Sequence, residues 1–134
     1  RAELQQLSSD LGVSNVVKFL GYLDTKEVAR EFAAAQIFCG LSRSEALGNV
    51  FLEAQTAGCA VVATNVGGIP DIIHSGIDGL LVPPNDVVAA QAALNRLLTD
   101  DALRIRLSTS ASQGKGVYDW ESITERYIKV YESL

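Results

Sequence analysis

The sequence predicts an α/β fold, a parallel sheet with helices on both faces. Two observations carry this expectation. Residues 16–20, 36–40, 60–64 and 80–83 are short, near-continuous apolar runs. They lack the period-2 alternation of a half-solvated strand, so they read as strands covered on both sides. Helical patterns lie between them, and strict strand–helix–strand order marks parallel strands joined by right-handed crossovers.

Each helix has its own signals. Residues 24–35 open with Asp24 and Glu27 in capping-box spacing and place Val28, Phe32 and Ala35 on one face. Residues 47–57 stop before Gly58, which suits the left-handed position after a helix. Residues 70–75 form a short helix with Pro70 in the first turn and Gly76 at the end. Asp86 caps a helix over 86–98 that buries Val88, Ala92 and Leu94 or residues near them. Residues 101–112 and 120–134 are helical. In the last helix Trp120, Ile123, Tyr127, Val130 and Leu134 form an apolar stripe. The stripe is expected to pack on the sheet of its own domain, the alternative being a face for a partner domain. With 134 residues and no linker, repeat or low-complexity tract, residues 1–134 read as one Rossmann-like domain.

Composition narrows the function classes. A formal charge of −5 argues against a nucleic-acid surface, which needs a dense Lys/Arg patch. Arg104, Arg106, Lys115, Arg126 and Lys129 are spread along helices and read as solvated faces. No apolar run approaches the roughly 18 residues that span a membrane, and no leader pattern opens the chain. The chain starts at Arg1 and contains no Met, so it reads as a piece of a longer protein. Cys39 and Cys59 have no CxxC or metal spacing. They read as buried, reduced and inert, which fits a cytoplasmic setting.

Ligands of open parallel sheets bind outside the carboxyl ends of the strands. Three elements are expected on that edge: Gly21 and Tyr22, Glu45, and the Gly67-Gly68 loop. The richest stretch runs from Glu45 to Glu53. Gly48 and Asn49 lie at a helix start, where a residue without Cβ lets a ligand approach the backbone. The N–H groups of Gly48, Asn49 and Val50 could then face a diphosphate, aided by the helix dipole. Glu53 is the only charge between Gly48 and Gly58. In a helix so apolar its carboxylate is expected to be buried and to need donors. A ribose diol supplies two. Glu45, in the loop before the helix, suits the hydroxyls of a bound sugar. Against these stand the plain readings: an exposed loop Glu, an ordinary Gly turn and a Glu53 that escapes to solvent. His74 reads as a surface or C-cap residue and Asp71 as a first-turn carboxylate. Arg43 reads as a solvated loop cation.

The run Glu45-Ala46-Leu47-Gly48-Asn49-Val50-Phe51-Leu52-Glu53 resembles the E-x7-E motif of retaining glycosyltransferases, in a setting similar to family 4. The resemblance covers nearly the whole chain. Asn15-Val16-Val17-Lys18-Phe19-Leu20-Gly21 looks like that family's first motif strand, and Ser42-Arg43-Ser44-Glu45 like its loop. Glu53-Ala54, Ala57-Gly58 and Val61-Val62-Ala63-Thr64 follow in order, then Gly67-Gly68-Ile69-Pro70, Gly76, Gly79-Leu80-Leu81-Val82 and Trp120. Two positions depart from the pattern, Ala60 and Leu41, each where the family usually has Pro.

The resemblance implies the C-terminal, donor-binding half of a two-domain GT-B fold, truncated at its N-terminus. It implies transfer of a hexosyl group from a UDP- or GDP-sugar to an acceptor, with no metal or other cofactor. Glu45 becomes the expected catalytic position and holds the transferred sugar. Glu53 holds the ribose, and the amides of Leu47, Gly48 and Asn49 hold the diphosphate. Backbone groups at Tyr22 and Leu23 meet the base. The family's upstream Arg and Lys, and its catalytic His, belong to parts outside this chain, so the fragment alone is expected to be inactive. Expected partners are the sugar nucleotide, an N-terminal Rossmann domain and a second copy, met through an open sheet edge or the C-terminal helix. The parent protein is expected in the cytoplasm, with peripheral membrane contact allowed. The alternative is a non-catalytic sugar-nucleotide binding or subunit-interaction module. A dinucleotide-dependent oxidoreductase needs GxGxxG after a strand, and a receiver domain needs acidic residues after its first strand; the sequence has neither.

Overall fold

The computed structural model describes residues 1–113 and 120–133. Its elements run α1 (Ala2–Asp10), α2 (Thr25–Ala34), β1 (Ile37–Gly40), α3 (Asn49–Thr56), β2 (Ala60–Thr64), α4 (Ile69–Ile72), β3 (Leu80–Val82), α5 (Val87–Thr99), α6 (Asp101–Gln113) and α7 (Trp120–Glu132). The three strands are parallel in the order β1-β2-β3. Every residue of β2 is buried, because β2 is central and both its faces are covered. Side chains alternate across the sheet. Val61 and Ala63 pack with Phe51 of α3 and with Ile69 and Ile72 of α4. Ala60 and Val62 pack with Ala90, Ala93 and Leu97 of α5 and Leu107 of α6. Helices thus lie on both faces, as the sequence predicts. Among the described residues no helix is long and apolar enough to cross a membrane.

The capping signals hold. Asp24 accepts the Glu27 N–H at 2.8 Å, and Glu27 accepts the Asp24 N–H at 2.8 Å. Asp86 accepts the Ala89 N–H at 2.9 Å. Gly58 takes φ 91° just past α3.

Several expectations are corrected. Residues 16–20 form no strand. A strand needs a ladder partner, and among the described residues none pairs with this segment, whose Val16 stays 76% exposed. Arg1 Nη2 ties it to α1 by donating to the Phe19 carbonyl at 3.1 Å. The helix expected over 70–75 is Ile69–Ile72, so His74 and Ser75 lie beyond it. In α5 the buried face is Ala90, Ala93 and Leu97, while Val88 and Ala92 are exposed and Leu94 is half-buried. That helix is apolar nearly all round, so periodicity does not choose a face; the small Ala90 and Ala93 side chains let it approach the sheet.

The stripe on α7 does not pack on the sheet. No residue of α7 is buried, and Trp120 is 83% exposed. The reason is that α5 and α6 already cover one sheet face and α3 and α4 the other. Leu134 and Lys115 lie outside the described residues. Helix α1, with Leu4 and Leu7 exposed, has no counterpart among the predicted elements. Arg104 is no solvated cation: it donates to the Leu97 carbonyl at 2.9 Å and pairs with Asp101 at 2.7 Å, closing the α5–α6 junction. Cys59 is buried, but Cys39 on β1 is exposed, and both are free thiols.

Candidate functional site

The loop 41–48 leaves β1 and enters α3, and two glycines shape it. At Gly40 an added Cβ would fall against the Phe51 ring. At Gly48 the backbone is left-handed (φ 88°), and an added Cβ would lie 2.7 Å from Phe51 Cδ2 and 3.2 Å from Glu45 Cγ. Gly48 is the N-cap of α3 and offers no side-chain cap. Its carbonyl accepts the Phe51 N–H at 2.9 Å. The first-turn N–H groups of Asn49 and Val50 have no intrahelical acceptor, and both residues are exposed. Leu47 is also exposed. Gly48 itself is buried, so the exposed part of the helix start is Leu47, Asn49 and Val50.

Glu45 lies half-buried just before this start. Its Oε1 accepts the Ala46 N–H at 3.1 Å, and it makes no ion pair among the described residues. The loop after β2 packs underneath. Gly68 N–H donates to the Ala46 carbonyl at 3.1 Å. A Cβ on Gly67 would collide with the Glu45 carbonyl, and one on Gly68 with the Ala46 carbonyl. The Gly-Gly pair is thus the condition for the two loops to touch. Glu45 and Gly67-Gly68 share the carboxyl edge of the sheet, as expected.

Glu53 departs from its expectation. It is exposed, not buried. Phe51, Ala54 and Gln55 turn inward, which leaves Asn49, Glu53 and Thr56 along the open face at i, i+4 and i+7. Glu53 borders a cavity of about 310 Å³ with Thr25, Ala29, Phe32, Thr56 and Ala57, between α2 and α3. At about 1.5 Å per residue it stands roughly 6 Å along the helix from Asn49. An anion at the helix start and a hydroxyl-bearing group at Glu53 would be one helical turn apart.

Tyr22 and Leu23 precede the N-cap of α2, whose Thr25 borders that cavity. Tyr22 is 96% exposed and Leu23 half-buried. Because residues 16–20 form no strand, Gly21 and Tyr22 do not follow a strand end; two of the three expected edge elements do. Among the described residues no group of three or more His, Cys, Asp or Glu converges as metal ligands would.

Two features escaped sequence reasoning. Thr64, at the end of β2, donates its hydroxyl to the Ser42 carbonyl at 2.6 Å. A second cavity of about 200 Å³ lies on the same edge, lined by Arg43, Thr64, Pro83, Asn85 and Asp86 among others. For the first, the sequence offers only a lone hydroxyl at the end of an otherwise apolar strand, which does not name its acceptor. His74 is exposed, and its Nδ1 lies 2.9 Å from Asp78 Oδ2, on the turn before β3.

The fold recurs in known proteins. Anabaena Alr3699/HepE, crystallised with UDP, superposes with a TM-score of 0.89 at 27% identity over 99% of this chain and 36% of that one. The C-terminal domain of a glycosyl transferase group 1 family protein (LpcC) from Francisella tularensis superposes at 0.75, with 31% identity, over 84% of this chain and 58% of that one. The D-inositol 3-phosphate glycosyltransferase of Corynebacterium urealyticum is 37% identical over 98% of this chain and 31% of its own length. The chain thus spans about a third of that curated relative. The likenesses bear out the expected C-terminal part of a GT-B fold. The family described as "Glycosyl transferases group 1" matches residues 1–114. The chain belongs to the group 1 glycosyltransferase family.

Proposed function

We propose that this chain is the donor-binding module of a retaining glycosyltransferase that transfers a hexosyl group from a UDP- or GDP-sugar. The observation that carries the reading is the left-handed Gly48 N-cap. It starts α3 between Glu45, just before it, and Glu53, one turn into it, with Leu47, Asn49 and Val50 exposed beside it. The neighbour crystallised with UDP and with UDP-glucose supports a nucleotide-sugar donor.

In this reading the diphosphate sits at the N–H groups of Leu47, Gly48, Asn49 and Val50, where the dipole of α3 favours negative charge. Glu53 accepts hydrogen bonds from the ribose hydroxyls beside the α2–α3 cavity, and the backbone at Tyr22 and Leu23 meets the base. Glu45 accepts hydrogen bonds from the sugar. When the bond from the sugar carbon to the diphosphate oxygen breaks, the leaving oxygen gains negative charge. Fixed amides aimed at that charge stabilise it without reorganising, which is electrostatic catalysis of the leaving group. They take the part a metal ion plays elsewhere. The remaining two-thirds of the longer relatives' length supplies the acceptor site, and the rate then rests on holding donor and acceptor in register.

A non-catalytic sugar-nucleotide binding or subunit-interaction module is the second reading, its interaction half favoured by the exposed apolar stripe of α7. A calorimetric titration of the chain with UDP, GDP and NAD tests the donor site. Binding of UDP or GDP, weakened about tenfold or more in Glu53→Ala, is the expected result for a charge-assisted contact. Binding of NAD in their place, or equal affinity in the variant, overturns the donor site.

A further inference from the structure

We propose that Thr64 is a positioning residue, whose hydroxyl holds the Glu45 loop in the geometry that meets the sugar. The inference rests on the donor-site reading above. The β1–β2 ladder ends at the pair Gly40 and Ala63. Thr64 then pairs with Val82 of β3, and its side chain takes over the tie to the chain leaving β1. Its hydroxyl donates to the Ser42 carbonyl at 2.6 Å, and the residue is 3% exposed. A second tie, from Gly68 N–H to the Ala46 carbonyl, lies four residues further along the loop. Glu45 therefore stands between two fixed points. One is a side chain of the central strand, and the other is the backbone of the loop that follows it.

Packing alone does not call for a hydroxyl at this position. Ala60 and Val62 share the Thr64 face and are apolar, and Val would fill the Thr volume. A buried hydroxyl is costly unless bonded, and the bond it makes goes to the loop that carries Glu45. Two consequences follow. Loss of the hydroxyl frees residues 41–45 to move without emptying the core. Because the Gly68 tie keeps Ala46 and the amides that follow it in place, and Glu45 meets the sugar while those amides and Glu53 meet the nucleotide, the loss weakens a sugar nucleotide and spares the free nucleotide.

The test compares Thr64→Val with Thr64→Ser in two measurements. Hydrogen exchange followed by mass spectrometry reads the protection of residues 41–48. Calorimetry reads UDP-glucose against UDP, and GDP-glucose against GDP. Expected for Thr64→Val are faster exchange in 41–45 and sugar-nucleotide affinity lowered roughly fivefold, the worth of one net hydrogen bond, with nucleotide affinity unchanged. Thr64→Ser keeps the hydroxyl and is expected to match the unaltered chain in both. Unchanged exchange in Thr64→Val, equal losses for nucleotide and sugar nucleotide, or a Thr64→Ser that behaves like Thr64→Val overturns the proposal. If the unaltered chain binds none of the four ligands, the donor reading fails, and the exchange result still decides whether Thr64 holds the loop.

Discussion

The backbone N–H of Gly68 donates to the carbonyl of Ala46 at 3.1 Å, so the loop after β2 is bonded to the loop that carries Glu45. This contact exists because neither Gly67 nor Gly68 has a side chain to hold the loops apart. The candidate site is therefore built by two loops together, and a change in one is felt in the other.

Gly68→Ala tests that dependence. Its methyl would meet the Ala46 carbonyl and lie 3.2 Å from Leu47 Cα, and both obstacles are backbone. The expected destabilisation is about 1–3 kcal/mol, the range for overpacking. Urea unfolding reads it as a lower midpoint with an unchanged slope. An unaltered midpoint would mean that the loops part freely.

Gly48→Ala and Gly58→Ala form a matched pair. Both glycines have left-handed φ, 88° and 91°, but an added Cβ at Gly58 meets nothing within 4 Å while one at Gly48 meets Phe51. Gly58→Ala is expected to cost about 1–2 kcal/mol, the backbone strain alone. Gly48→Ala is expected to cost more, because the Phe51 ring must also move. Equal midpoints for the two variants would contradict the packing of Phe51 under the helix start.

Asp24→Ala removes the side-chain half of the capping box, the carboxylate that accepts the Glu27 N–H, and keeps the backbone N–H that donates to Glu27. The expected loss is about 1 kcal/mol, read by thermal unfolding. Asp24→Ser, which can still cap, should recover most of it. No difference between Ala and Ser would show that the cap contributes nothing to the domain.

The two thiols should separate by reactivity. Burial pushes both Cys39 and Cys59 above the ordinary thiol range. Each is then a thiol at neutral pH, and alkylation speeds up as pH rises through the raised value. Cys39 is exposed by surface area even though neighbouring atoms desolvate its thiol. Cys59 is buried, with its Sγ–H directed to the Phe32 carbonyl at 3.2 Å. Iodoacetamide at mildly alkaline pH should label Cys39 in the folded chain and Cys59 only after unfolding, as peptide mapping would show. Rapid native labelling of Cys59 would contradict the core described for β2.

Much of this was legible in the sequence, for physical reasons that differ by residue. Asp24, Glu27, Asp86 and Gly58 act through their immediate neighbours, so spacing located them. The run from Ala60 to Thr64 is apolar without alternation, and that composition suits only a strand covered on both faces. Residues 16–20 are also largely apolar and yet make no strand, because a ladder depends on a partner elsewhere in space. Val88 and Ala92 were misplaced because an all-round apolar helix has no unique buried face. Glu53 was expected in the interior because its neighbours are apolar, but Phe51, Ala54 and Gln55 take the inward positions and turn it out. Thr64 was invisible as a tie because its acceptor, the Ser42 carbonyl, lies 22 residues away and any residue type supplies a carbonyl.

The most direct measurement is an amide-resolved NMR titration of the chain with UDP and with GDP. If the start of α3 holds a diphosphate, the amides of Leu47, Gly48, Asn49 and Val50 shift with one common affinity, and Glu53→Ala weakens that affinity. If the shifts fall instead around Arg43, Asn85 and Asp86, or the amides of Leu47 to Val50 stay unmoved while nucleotide binds, the helix start is not the donor site.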